Sequence, residues 1–161
     1  VILKKNKQYH AEVAQIRRNE CMVVLVKPMT YMNDSGKFLP SLLSHFDCSV
    51  DNTIVVHDEI AFPLGALKIS RNKSAGGHNG VKSIISSIGS GFARFRVGIG
   101  MKPDSEVNLA DYVLSKLNSE EWALLQARKD YLCQSLSNLL DDGVDIAMNL
   151  INQINRSPKP S

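Results

Sequence analysis

Gly76-Gly77-His78-Asn79-Gly80 places two glycines ahead of an imidazole and a carboxamide. Glycines let a backbone turn tightly and approach a ligand closely, and a helix start just after them would hold His78 and Asn79 in fixed directions. A plainer role is also open, because polar side chains at such a place often do no more than cap the helix. Asn33, within Thr30-Tyr31-Met32-Asn33-Asp34-Ser35-Gly36, and Asp58, within Val56-His57-Asp58-Glu59, widen the set. A carboxylate that polarises an imidazole can activate water, and amide side chains can steady the tetrahedral oxyanion of an ester under attack. By residue type, Asp58, Asn33, His78 and Asn79 suit ester hydrolysis, with His78 open to either a base or a positioning role. Asn33 as a helix cap and Asp58-Glu59 as a solvated loop pair are the structural alternatives.

These residues fall at the ends of elements that periodicity predicts. Residues 9–16 and 21–27 read as strands joined by a turn at Arg17-Arg18-Asn19-Glu20, so a hairpin is expected. Phe38, Leu39, Leu42, Leu43 and Phe46 recur at helical spacing, with Asn33, Asp34 or Ser35 as the expected N-cap. Residues 53–57 form a short apolar run ending at Asp58-Glu59, the pattern of a buried central strand with charge at its C-terminal end. Residues 67–71 read as a strand, Val81, Ile84, Ile85 and Ile88 as one helix face closed by Gly89, and residues 95–100 as a further strand. Residues 119–155 turn helical, with a break near Asp142-Gly143. The pattern predicts an α/β fold: a single domain with a mixed central β-sheet, the opening hairpin being antiparallel, and helices on both faces. In such sheets helix starts and strand C-termini meet at one edge, where ligands bind.

The 161 residues, 43% of them hydrophobic, suffice for one core. We expect residues 1–155 to form that domain and the tail at 156–161, Arg-Ser-Pro-Lys-Pro-Ser, to be disordered. Cys21, Cys48 and Cys133 show no paired spacing, which agrees with a reducing cytosol and argues against a zinc site. No run is long enough to span a bilayer, and no cofactor motif is present. The formal charge of +3 permits an anionic partner without requiring one. Lys68, Arg71, Lys73, Lys82, Arg94 and Arg96 gather around the His78 loop in sequence and could contact phosphates.

Four ordered motifs make the chain resemble the bacterial-type peptidyl-tRNA hydrolases. They are Lys27-Pro28-Met29-Thr30-Tyr31-Met32-Asn33-Asp34-Ser35-Gly36, Val56-His57-Asp58-Glu59, Ser74-Ala75-Gly76-Gly77-His78-Asn79-Gly80-Val81-Lys82 and Phe95-Arg96-Val97-Gly98-Ile99-Gly100. The resemblance implies a monomeric, cytoplasmic enzyme that hydrolyses the ester joining a peptide to the terminal ribose of tRNA and needs no cofactor or metal. It implies that Asp58 orients a catalytic histidine and that Asn33 holds substrate and stabilises the oxyanion. His78 and Asn79 would place peptide and water, Tyr31 and Met32 would help bind substrate, and Lys82, Arg96 and Arg71 would meet tRNA phosphates.

The family's base lies near its N-terminus in an Arg-His-Asn stretch, after a strand ending in Gly-Asn-Pro, and neither motif occurs here. The expectation is therefore an N-terminally incomplete domain whose base lies upstream of Val1. His10, His45 and His57 do not replace it: the first is read as a surface or edge-strand residue, the second ends a helix, and the third should point away from Asp58. Where family members often carry a basic residue, Ser70 stands, which leaves phosphate binding there in question. A non-catalytic RNA-binding protein of the same fold is the alternative reading, and a small-molecule hydrolase on a similar scaffold a third.

Overall fold

The computed structural model describes residues 1–100 and 108–154. In chain order its elements are β1 (Lys4–Asn6), β2 (Ala11–Arg18), β3 (Cys21–Pro28), α1 (Leu39–His45), β4 (Ile54–Glu59), β5 (Leu67–Arg71), α2 (Asn79–Ile88), β6 (Ala93–Gly98), α3 (Leu109–Leu114), α4 (Ser119–Asp142) and α5 (Val144–Ile154). The described residues fold as two compact units, one from residues 1–53 and 72–92, the other from residues 54–71, 93–100 and 108–154. The expectation of a disordered tail falls outside the described residues.

In the first unit β1, β2 and β3 form an antiparallel sheet in that order. Arg18 pairs with Cys21, so the hairpin turns on Asn19-Glu20, with Asn19 in the left-handed region at φ 52° that Asn tolerates well. His10 does not lie in a strand as expected. It sits in the preceding turn at φ 46°, exposed, where its carbonyl accepts from the Met29 N–H at 2.8 Å.

A 3-10 turn, Met32–Asp34, precedes α1. The expected N-caps of α1 are thus displaced: Asn33 and Asp34 belong to that turn, Ser35 closes it, and Phe38 occupies the cap position without a side-chain bond. Pro40 in the first turn supplies a preset φ where a missing N–H costs nothing. Helix α2 buries Gly80, Val81 and Ile84 and ends on Gly89 at φ 80°.

In the second unit β4, β6 and β5 form a mixed sheet, β4 parallel and β5 antiparallel to β6. The α/β class and the mixed sheet agree with the sequence, but the antiparallel member is β5 rather than the opening hairpin. Among the described residues β6 is central and β4 an edge, against the expectation of a central β4, and Val56 is 55% exposed.

Leu67, Ile69, Phe95, Leu139, Ala147 and Ile151 make the core on one face of this sheet. Gly143, at φ 83°, breaks α4 from α5 so that both reach that core, as the sequence break anticipates. Asn118 starts α4 with a capping box: its side chain accepts from the Glu121 N–H at 2.9 Å, and Glu121 accepts from the Asn118 N–H at 2.8 Å.

Candidate active site

Pro28 ends β3, and the chain leaves the sheet through Met29, a bend at Thr30 and an extended Tyr31. The following turn is tied by the Asp34 N–H to the Tyr31 carbonyl at 2.9 Å, and the Ser35 hydroxyl donates to the Met32 carbonyl at 2.9 Å. Its side chains face outward: Tyr31 is 85% and Met32 55% exposed, and Asn33 is exposed. Beside them lies an open hollow of about 520 Å³ lined by Met29, Thr30, Tyr31 and Asp34. Another hollow of the same unit, about 280 Å³, is lined by residues that include Lys4, Lys5, Tyr9, His45 and Phe46 and shares none of these groups.

This turn is seated on the start of α2. The Gly36 N–H donates to the Ser83 hydroxyl at 3.0 Å, and a side chain at 36 would run into the Ser83 carbonyl. Met32 lies against Gly80, where a Cβ would overlap its sulfur. Glycine at 36 and 80 is therefore what lets turn and helix touch.

Gly76 and Gly77 lead into α2 at φ 59° and 87°, with nothing within 4 Å of where a Cβ would stand. They are needed for backbone conformation, not for room. His78 is the N-cap: its Nδ1 accepts from the Gly80 N–H at 3.1 Å and the Val81 N–H at 3.2 Å. Two orphan helix donors are thereby satisfied by an imidazole, an uncommon choice of cap. The half-buried His78 and exposed Asn79 thus stand beside the turn that carries Met32 and Asn33.

In the second unit Asp58 and Glu59 are the last residues of β4, half-buried on opposite faces of the strand. His57 shares the Glu59 face, as expected, and its Nδ1 donates to the Asp58 carbonyl at 2.6 Å. Glu59 receives both Nε (3.0 Å) and Nη2 (2.6 Å) of Arg96, and the Ala61 N–H at 3.1 Å. Burial pushes the Glu59 carboxyl upward, but hydrogen bonds from Arg96 and Ala61 and the charges of Arg96 and His57 outweigh it and leave the group below its usual range.

Arg96 also stacks on Phe62, 4.8 Å from the ring centre, with the Lys68 ammonium 5.9 Å from the same ring. Arg94 is buried at 4% exposure, and desolvation, reinforced by the Arg96 charge and opposed by Glu59, lowers its affinity for its proton. The basic residues near the His78 loop in sequence therefore differ in availability: Lys68, Lys73 and Lys82 are exposed, Arg71 is half-buried, and Arg96 is held by Glu59.

The structure thus sets Met32 against the start of α2 next to His78, and places Asp58 one residue before Glu59 on the opposite face of β4. Sequence reasoning passed over Glu59 as an anchor for Arg96, which stands two register positions away on the paired strand β6. It also missed Asn152, whose side chain bonds both the N–H (3.1 Å) and the carbonyl (2.9 Å) of Ile69 and so stands in for a strand partner at β5. Nothing local in the sequence marks that contact. Among the described residues no three His, Cys, Asp or Glu are grouped to hold a metal, and no helix is long and apolar enough to cross a membrane.

The family model for peptidyl-tRNA hydrolase matches residues 1–159, and the chain belongs to that family. It is 42% identical over 131 residues to a peptidyl-tRNA hydrolase of Lachnospira eligens, covering 81% of this chain and 70% of the relative. With the corresponding protein of Fervidobacterium nodosum it shares 46% over 135 residues, covering 82% and 69%. The crystal structure of peptidyl-tRNA hydrolase from Acinetobacter baumannii superposes with a TM-score of 0.83 at 31% identity, over 94% of this chain and 76% of that one.

Proposed function

We propose that this protein hydrolyses the ester between peptide and tRNA in peptidyl-tRNA, by attack of water on the acyl carbonyl. The observation that carries this reading is the packing of the Met32–Asn33 turn on the His78–Asn79 helix start, within a family match that spans residues 1–159. Asn33 and Asn79 supply carboxamide donors for the developing oxyanion and the peptide. Tyr31 and Met32, exposed beside the open hollow, offer apolar surface to the peptide side chains.

In this reading Asp58 orients the imidazole that removes a proton from the attacking water. The family pattern assigns that imidazole to an Arg-His-Asn stretch ahead of the position of Val1. His57 is occupied by the Asp58 carbonyl, and His10 lies in the turn before β2, so neither takes the part. Lys82 and Arg71 meet tRNA phosphates, while Arg96, already paired with Glu59, contributes mainly positive potential. The partner is peptidyl-tRNA, and the protein acts as a monomer in the cytoplasm.

The test is release of labelled peptide from peptidyl-tRNA by the full-length gene product. Asp58→Asn should lower kcat by about 10²- to 10⁴-fold while leaving tRNA affinity in place. Undiminished turnover in that variant would refute the role given to Asp58, and absence of hydrolysis by the unaltered protein would refute the activity.

A further inference from the structure

Asn79 is the one asparagine of the chain that is followed by glycine, and it stands exposed at the first position of α2. That pair is chemically labile. The backbone nitrogen of the following residue can attack the asparagine Cγ, and glycine, having no Cβ, neither shields that nitrogen nor restricts its approach. The fold nevertheless requires glycine at 80, because a Cβ there would overlap the Met32 sulfur and stand 3.1 Å from His78 Cε1. The contact that seats Met32 on α2 thus keeps a labile pair beside the candidate site.

The same helix start restrains it. The attacking nitrogen would be that of Gly80, and its N–H donates to His78 Nδ1 at 3.1 Å, with the Val81 N–H on the same acceptor at 3.2 Å. Ring closure onto Cγ requires the Asn79 backbone to swing out of the helical ψ range and turn the Gly80 nitrogen away from that acceptor. Attack is therefore confined to moments when the first turn opens, and the cap sets how often that happens.

We propose that Asn79 is a site of spontaneous deamidation gated by the His78 cap. In the open state the Gly80 nitrogen gives its proton to solvent and forms a bond to Asn79 Cγ. The bond from Cγ to the side-chain nitrogen breaks, and that nitrogen takes up a proton and leaves as ammonia. Water then adds to either carbonyl of the succinimide and opens the ring to aspartate or isoaspartate, releasing a proton. Aspartate suits the first turn, since its charge faces the positive end of the helix. In the peptidyl-tRNA reading above, on which this consequence alone rests, the change removes a carboxamide donor from the acyl group and sets a negative charge near the tRNA phosphates.

Mass spectrometry of the peptide containing residue 79, sampled over time from the full-length gene product in neutral buffer, reads the conversion. His78→Ala removes the cap and should raise the rate about fivefold. His78→Asn keeps a good cap and should stay within about twofold of wild type. Unfolding in urea should raise the rate by at least about tenfold. Asn79→Asp should keep the wild-type melting temperature and lower kcat/KM by about 10- to 100-fold.

A His78→Ala rate equal to wild type would overturn the gate, and a lower rate would do so by making the imidazole a promoter of the attack. Equal rates in native buffer and in urea would overturn it as well, and no conversion even in urea would remove the site altogether. Should His78→Ala fail to fold, the native and urea rates still decide. If the unaltered protein cleaves no peptidyl-tRNA, the functional reading has failed, while the masses still test the modification. Full turnover in Asn79→Asp, with the unaltered protein active, would overturn the stated consequence.

Discussion

Replacing Gly36 by alanine probes the contact on which the candidate site depends. A methyl carbon at that position would stand 2.6 Å from the Ser83 carbonyl carbon and 2.8 Å from the Ile84 Cα, and nearer still to the Ser83 oxygen. Carbon atoms prefer about 3.5–4.0 Å, so the Met32–Asn33 turn and α2 must separate by about 1 Å. The opposing atoms are helix backbone, which cannot rotate aside as a side chain would. Overpacking of this kind costs about 1–3 kcal/mol. Loss of the Gly36 N–H bond to the Ser83 hydroxyl, 3.0 Å long, adds about 1 kcal/mol.

The expected total is about 2–4 kcal/mol, which at an m-value of about 2 kcal/mol/M moves the urea midpoint down by about 1–2 M. The same 1 Å shift carries Asn33 away from His78 and should lower kcat/KM on peptidyl-tRNA by about 100-fold. A urea titration followed by circular dichroism reads the first quantity, and a peptide-release assay the second. An unchanged midpoint would show that turn and helix are not in the contact described. A shifted midpoint with unchanged turnover would show that Asn33 does not act at this place.

Other perturbations test separate contacts. Asn152→Leu should destabilise the protein by about 2–4 kcal/mol in chemical denaturation, because the N–H and carbonyl of Ile69 lose their partner at a site only 1% exposed. Glu59→Gln should cost about 2–4 kcal/mol, short of the full range for a buried pair because both side chains retain 15–20% exposure, and urea midpoints would read it. The Glu59 carboxyl lies below the ordinary carboxyl value of 4.5 in the folded protein, so its contribution is complete above pH 4.5 and is lost as pH falls through the lower folded value. Acid titration of stability should therefore be shallower in the variant than in the wild type below pH 4.5, and identical slopes would refute the pairing. Lys82→Ala should weaken tRNA binding and reduce the slope of log affinity against log salt by about 1, with little effect on kcat at saturating substrate.

The amino-acid sequence by itself determined the elements whose signals are local. Two strand-like runs flanking the polar stretch Arg17-Arg18-Asn19-Glu20 specify the hairpin of β2 and β3, although its turn proves to be Asn19-Glu20 alone, and an apolar face closed by Gly89 specifies α2. The Gly143 break, the length of β5 and the identity of Asn33, Asp58, His78 and Asn79 as chemically able residues were legible for the same reason. Helix caps were less legible, since Asn, Asp and Ser all satisfy a cap by type and only the intervening 3-10 turn moves them out of register with α1.

What tertiary structure decided was partnership. An apolar strand such as β4 reads as central from its composition, yet its place is set by which strands find it, and here β6 takes the middle. The charge of Arg96 is visible in the sequence, but its availability depends on Glu59, 37 positions away. His78 is readable as a cap in the sequence, but only folding aims two backbone N–H groups at its Nδ1. Local sequence fixes torsional preference and polarity, whereas the direction of a lone pair and the neighbour of a charge follow from long-range packing that no short window contains.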